Sequence, residues 1–120
     1  KQRFVFVINL TGSDELIGEI GLHLDPGTCE AQFGYWIAEP FWGRGIVTEA
    51  LSAILKFGFL ELKLKRIYAT HYPENIASGK VMQKNKMKNE GELKNHYKVG
   101  TTYRSVILYS ITAEAYFAKP

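Results

Sequence analysis

Apolar and β-branched residues come in short runs at both ends of the chain, and change to steps of three and four in its middle. Residues 4–10 (FVFVINL) and 16–24 (LIGEIGLHL) read as two strands, and the turn-forming TGSDE between them predicts a β-hairpin. DPGT at residues 25–28 is a second turn, in which proline presets φ and glycine accepts a positive one. CEAQFGYWIA follows as a third strand. Its pairing is expected to stop at Glu39-Pro40, because proline has no N–H to give to a ladder.

The period then lengthens. Val47, Leu51, Ile54, Leu55, Gly58, Phe59 and Leu62 form one apolar stripe on a helix predicted over residues 46–62, with Glu49, Lys56 and Glu61 on other faces. RIYATHY is a short strand. Residues 75–85 read as a second helix whose apolar contacts are Ile76, Val81 and Met82. MKNEGELKNHYKV and YRSVILYSIT, joined at Gly100, close the chain as a long antiparallel pair. The order β-β-β-α-β-α-β-β predicts a mixed α/β (α+β) fold. Its sheet is mostly antiparallel, with a central parallel β-α-β crossover of right-handed sense and helices on its faces.

Composition narrows this picture without redirecting it. The 120 residues suit one domain spanning 1–120, and 46% apolar with 22% charged residues is a globular balance. No apolar run approaches the ~20 residues of a membrane span. A single cysteine, Cys29, excludes an internal disulfide framework and makes a cytoplasmic setting the expectation. The net charge of +3 is too mild to indicate nucleic acid. Two basic groups stand out, Lys56, Lys63, Lys65 and Arg66, and then Lys80, Lys84, Lys86 and Lys88. They suit either a small polyanionic ligand or the negative ends of helix dipoles.

The chemistry concentrates in EPFWGRGIVTEA. Gly43 and Gly45 directly precede a helix, where unpaired N–H groups and the helix dipole favour an anion such as phosphate. Arg44 is placed to add a charged contact or to face solvent, and Thr48 in the first turn to hydrogen-bond to the same anion. The plainer reading is a tight strand-to-helix turn. Neither G-x-x-x-x-G-K-[ST] nor G-x-G-x-x-G is present, which argues against a nucleotide hydrolase or a dinucleotide oxidoreductase.

Taken together, Gly34-Tyr35-Trp36, the W-G-R-G-I-V-T-E-A segment at residues 42–50, N-I-A-S at 75–78 and Glu90-Gly91 resemble the GNAT superfamily of N-acetyltransferases. They most resemble its ribosomal-protein (RimJ/RimL-like) branch. The resemblance covers most of the chain and implies acetyl-CoA as co-substrate. Gly43, Arg44, Gly45, Ile46, Val47 and Thr48 would then wrap the pyrophosphate. The strand carrying Trp36, Ile37 and Ala38 would splay from the one carrying Ala69, Thr70 and His71, leaving a gap for pantetheine. Asn75 would hold the cofactor arm, and Ser78 would protonate the leaving thiolate. A helix N-cap with a small residue one turn on is the structural alternative for Asn75 and Ser78.

The implied reaction is direct transfer to a primary amine, with an oxyanion donor among the amides of residues 36–38. For the proton acceptor, Glu39 is a candidate by position. Tyr97 stands where the family has a carboxylate, and His71, His96 or water are further options. Two other departures are Pro40, in place of a cofactor glutamine or arginine, and Lys86-Met87, in place of Gly-Phe. The second leads us to expect Asn85 in the left-handed cap conformation. Cys29, on a strand near a turn, is not expected to carry an acyl group.

RFVFVINL reads as a strand already under way at Lys1. The expectation is therefore an N-terminally truncated domain with an incomplete acceptor cleft and an exposed edge that favours a homodimer. The readings carried forward are three. The first is an acetyltransferase acting on a protein N-terminus. The second is one acting on an antibiotic or polyamine. The third is a CoA-binding module or remnant without turnover.

Overall fold

Alternation sorts the first strands onto two faces. Phe4 and Phe6 meet the ring of Phe57 edge-on at 5.4 and 5.3 Å, with Phe6 still 40% exposed, while Val5 and Val7 take the other face and are exposed. In the computed structural model, which describes residues 2–118, six strands form one sheet in the order β1-β2-β3-β4-β6-β5. They are β1 (Arg3–Ile8), β2 (Gly18–Leu24), β3 (Glu30–Ile37), β4 (Arg66–His71), β5 (Lys88–Val99) and β6 (Thr102–Thr112). Only β3 and β4 pair in parallel, across the expected crossover helix; the other four pairings are antiparallel.

The helices are α1 (Ile46–Lys56), α2 (Ile76–Lys84) and α3 (Ala113–Phe117). Leu51, Ile54 and Leu55 of α1 and Met82 of α2 join Leu22, Phe33, Ile67 and Tyr109 of the sheet in one buried core. Each such side chain contributes about 1.5–3 kcal/mol through burial.

Four local features differ from the sequence reading. The helix predicted over residues 46–62 is α-helical only to Lys56 and then widens, with Leu62 N–H donating to the Phe57 carbonyl at 3.2 Å. The widened turn presses Gly58 against the sheet, where a Cβ would stand 2.6 Å from Ile67 Cδ1. The short α3 was not expected. Thr112 caps it by accepting from Ala115 N–H at 3.1 Å, and Tyr116 packs on Phe59 at 4.8 Å. Five residues are too few for a periodicity to register.

The end of α2 corrects the third expectation. Asn85 has φ −96°, and Lys86 takes the left-handed conformation at φ 67°. Asn85 is held on the helical side because its amide donates to the carbonyls of Thr48 and Val81, both at 3.1 Å. Lys86 N–H then closes on Gln83 and Met87 N–H on Met82, with Met87 buried, which is a Schellman termination. Cys29 is likewise no strand residue. It is exposed at φ 58° in the loop before β3.

Polar ties lock the start of the parallel pair. Arg66 donates to Glu30 at 3.0 Å, and Tyr68 donates to Asp25 at 2.8 Å. Burial first, and then the hydrogen bond to Asp25, push the Tyr68 phenol from 10.0 up to about 12.

Two predictions follow from these contacts. Lys86→Gly relieves a left-handed lysine and should raise stability by about 0.5–1 kcal/mol, net of glycine's larger unfolded entropy. An unchanged urea midpoint would contradict it. The Tyr68 contribution is complete below pH 10 and is lost as pH rises toward 12, because the folded state there binds the extra proton. The melting temperature of the wild type should therefore fall more steeply than that of Tyr68→Phe across this window. Parallel curves would refute the assignment.

Candidate functional site

The parallel pairing of β3 with β4 lasts for three partners, Glu30 with Arg66, Ala31 with Ile67 and Gln32 with Tyr68. Beyond Gln32 and Tyr68 the strands part. A cavity of about 880 Å³ opens there, walled by residues 33–37 and 69–72 and by the starts of α1 and α2. Ala38 N–H donates to the Ile17 carbonyl at 2.8 Å. Strand alternation then turns the amides of Gly34 and Trp36 toward β2, and those of Phe33, Tyr35 and Ile37 into the gap. The gap is a row of main-chain groups without a neighbouring strand.

At its mouth lies the glycine turn. Gly43 and Gly45 have φ values of 73° and 78°, so both take the left-handed conformation that side chains disfavour, and a Cβ on either would meet nothing within 4 Å. Gly45 is the N-cap of α1 and provides no side-chain cap; the first bond of the helix is Glu49 N–H to the Gly45 carbonyl at 3.1 Å. Among the described residues, the amides of residues 43–48 therefore have no protein acceptor. Left-handed residues alternating with others at a helix start form a concave nest of N–H groups suited to an anion. The tight-turn reading and the phosphate reading thus describe the same geometry.

The remaining sequence-derived candidates divide by position. Ile46, Val47, Thr48, Ile37, Trp36, Asn75, Ser78 and Tyr97 all contribute to the cavity wall. Arg44 does too, with its guanidinium 5.3 Å from the centre of the Phe41 ring. Trp36 turns its indole to the opposite face of the sheet, where it donates to Glu19 at 3.3 Å. Ala38 and Glu39 are not among the lining residues. Both backbone groups of Ala38 are engaged, with Ile17 and Phe41, and Glu39 opens an exposed 3-10 turn. His96 is exposed and stacks edge-on against Tyr97 at 4.6 Å.

Asn75 is the N-cap of α2, its side-chain oxygen accepting from Ser78 N–H at 3.2 Å, which leaves its NH₂ for another partner. Glu74 beside it is held by an ion pair with Arg104, which lowers its carboxyl from the ordinary range, and Arg104 lies 4.0 Å over the Tyr72 ring. The two basic groups also separate. Lys65 and Arg66 face Glu30 at 3.9 and 3.0 Å, whereas Lys80 and Lys84 border the cavity. No Asp or Glu is among its lining residues.

Three features were outside the sequence reading. Tyr35 OH lies 2.6 Å from Ser78 Oγ. Trp42 donates its indole N–H to the Ile37 carbonyl at 2.8 Å, which leaves only the Ile37 amide free. His71 Nδ1 lies 2.7 Å from the Tyr72 carbonyl, so Nδ1 carries a proton, and among the described residues the buried Nε2 has no hydrogen-bond partner. Alternation from Phe33 was available to place Tyr35 on the helix-facing side, but nothing in sequence links it to position 78.

The nest yields a direct test. Gly45→Val forces a β-branched residue into the left-handed region and should lower stability by about 1–2 kcal/mol, measured by urea unfolding. A loss below a few tenths would show that the turn relaxes.

Comparison with known proteins places this architecture. The family model described as "Acetyltransferase (GNAT) domain" matches residues 1–88. An uncharacterised N-acetyltransferase p20 from Bacillus licheniformis is 31% identical over 95% of this chain and 64% of its own length. The ribosomal-protein-serine acetyltransferase of Escherichia coli is 33% identical over 81% of this chain and 55% of its own. Mycobacterium smegmatis RimJ, solved in complex with CoA-disulfide, superposes with a TM-score of 0.86 at 34% identity, covering 98% of this chain and 56% of that one. The chain spans less than two thirds of the length of each of these three. With the family match over residues 1–88 and this shared fold, the chain belongs to the GNAT acetyltransferase family.

Proposed function

We propose that this chain binds acetyl-CoA and transfers its acetyl group directly to a primary amine, the N-terminal amine of a protein. The observation that carries the proposal is the set of unpartnered amides of residues 43–48 at the mouth of the gap between β3 and β4. A pyrophosphate on those amides sets a pantetheine arm into the gap, where the Tyr35 and Ile37 amides offer strand-like pairing. Asn75 lines the same cavity with its NH₂ unengaged, and in this reading it holds the arm. RimJ in its CoA-disulfide complex, with which this chain shares its fold, supports the assignment.

Acetyl-CoA supplies an activated acyl group on a thioester. The residues of this chain orient it and steady its charge. The Ile37 N–H is the oxyanion donor, and one such donor is worth about 10²–10³ in rate. Ser78, at the start of α2, returns a proton to the leaving sulfur. Tyr97 is the wall residue able to take part in deprotonating the amine, with water as the final acceptor; both ring nitrogens of His71 are turned away from the cavity, one to the Tyr72 carbonyl and one buried. The absence of carboxylates from the lining, beside Lys80 and Lys84, favours a peptide amine over a polycationic acceptor.

Binding and turnover are tested separately. Acetyl-CoA at a hundredfold excess over its Kd should add about 2.7 kcal/mol of stability, read as a thermal shift. Gly45→Val should lose most of that shift. Release of free thiol should appear with peptides carrying a free N-terminus and stay at background with spermidine. No shift at millimolar acetyl-CoA would refute donor binding; a shift without thiol release from any amine would leave a CoA-binding module.

A further inference from the structure

Ser78 and Tyr35 come from elements far apart in the chain and meet at the cavity wall. Their oxygens are 2.6 Å apart, and Ser78 is only 7% exposed. Ser78 is fixed by the Asn75 cap, and the Tyr35 ring is stacked on Phe33 at 6.4 Å with 15° between planes. A serine hydroxyl has one proton. If Ser78 gives it to Tyr35, none is left for the cavity; if Tyr35 donates, the Ser78 proton is free to point inward. The phenol is the stronger acid of the two and therefore the better donor. Among the described residues, neither hydroxyl has another hydrogen-bond partner.

Resting on the acetyl-transfer reading above, we propose that Tyr35 and Ser78 form a two-hydroxyl relay in which Tyr35 is the source of the proton that Ser78 delivers to the departing thiolate. The amine nitrogen has by then bonded to the carbonyl carbon. As the C–S bond breaks, its electron pair goes to sulfur, the Ser78 O–H proton moves to sulfur, and the Tyr35 O–H proton moves to Ser78 Oγ. The amide nitrogen sheds its surplus proton to water, and the Tyr35 phenolate recovers one from water. The relay leaves a phenolate where serine alone would leave an alkoxide. A phenol and a thiol differ by only about 1.5 pKa units in water, so the transfer is closely matched. Ser78 touches the sulfur and is the catalytic residue; Tyr35 acts through it as a positioning residue.

The full chain with Tyr35→Phe, Ser78→Ala or both tests the relay, alongside a fluorinated tyrosine at position 35 as the conservative variant. Each single variant should lower kcat about 10²-fold with KM for acetyl-CoA unchanged, and the double variant should be no worse than either. The fluorinated tyrosine should retain turnover and move the alkaline limb of kcat to lower pH. A second measurement needs no turnover, namely titration of the bound CoA thiol by its thiolate absorbance. Tyr35→Phe should raise the pH of that transition by about half a unit, because Ser78 loses the donor that polarises it.

A Tyr35→Phe protein with wild-type kcat, or with the bound thiol titrating as in wild type, overturns the relay. Failure of the wild type to bind CoA overturns both the relay and the acetyl-transfer reading. A shifted thiol titration in a protein that acetylates no amine supports the relay while the acceptor reading falls.

Discussion

Three residues of parallel pairing, and then none, determine this structure. Main-chain donors and acceptors inside a fold need partners. The separation of β3 from β4 after Gln32 and Tyr68 leaves a row of them facing open space. Everything nearby is arranged around that break. Arg66 with Glu30 and Tyr68 with Asp25 fasten the strands at the closed end. At the open end, α1 and α2 both begin beside the gap, so their positive termini look into one cavity. Trp42 engages the last carbonyl of β3 and so marks where the row ends.

Much of this was legible in the sequence because it is local. The stripe through Leu51, Ile54 and Leu55 requires a helix. The Gly43-Arg44-Gly45 turn requires left-handed backbone, and Pro40 ends the ladder of β3. Asn75 at a cap and Ser78 one turn on are also local, and the cavity includes both. The missed features depend on distance along the chain or on competition between neighbours. Tyr35 meets Ser78 across 43 positions. Asn85 looked the better left-handed residue, yet its side chain is drawn to Thr48 on α1, and the strained conformation passes to Lys86. Glu39 was plausible from its place at the end of β3, but the 3-10 turn carries it away from the cavity lining.

The distribution of charge follows the same division of labour. Lys65 and Arg66 are drawn to Glu30 at the closed end, where they steady the strand pair. Lys80 and Lys84 are left at the open end, beside six bare amides and no carboxylate. A chain with a net charge of only +3 thereby presents a locally positive cavity.

The nest at residues 43–48 has a further consequence. Its donors are peptide N–H groups, present whatever side chains the positions carry, and only the two glycine conformations are needed to aim them. Recognition is stored in the path of the chain and hardly at all in its lettering. Arg44, Ile46 and Val47 can drift under other pressures without erasing the seat, while the walls that meet a second substrate are free to diversify. A fold organised in this way can keep one currency of chemical group and change its recipients.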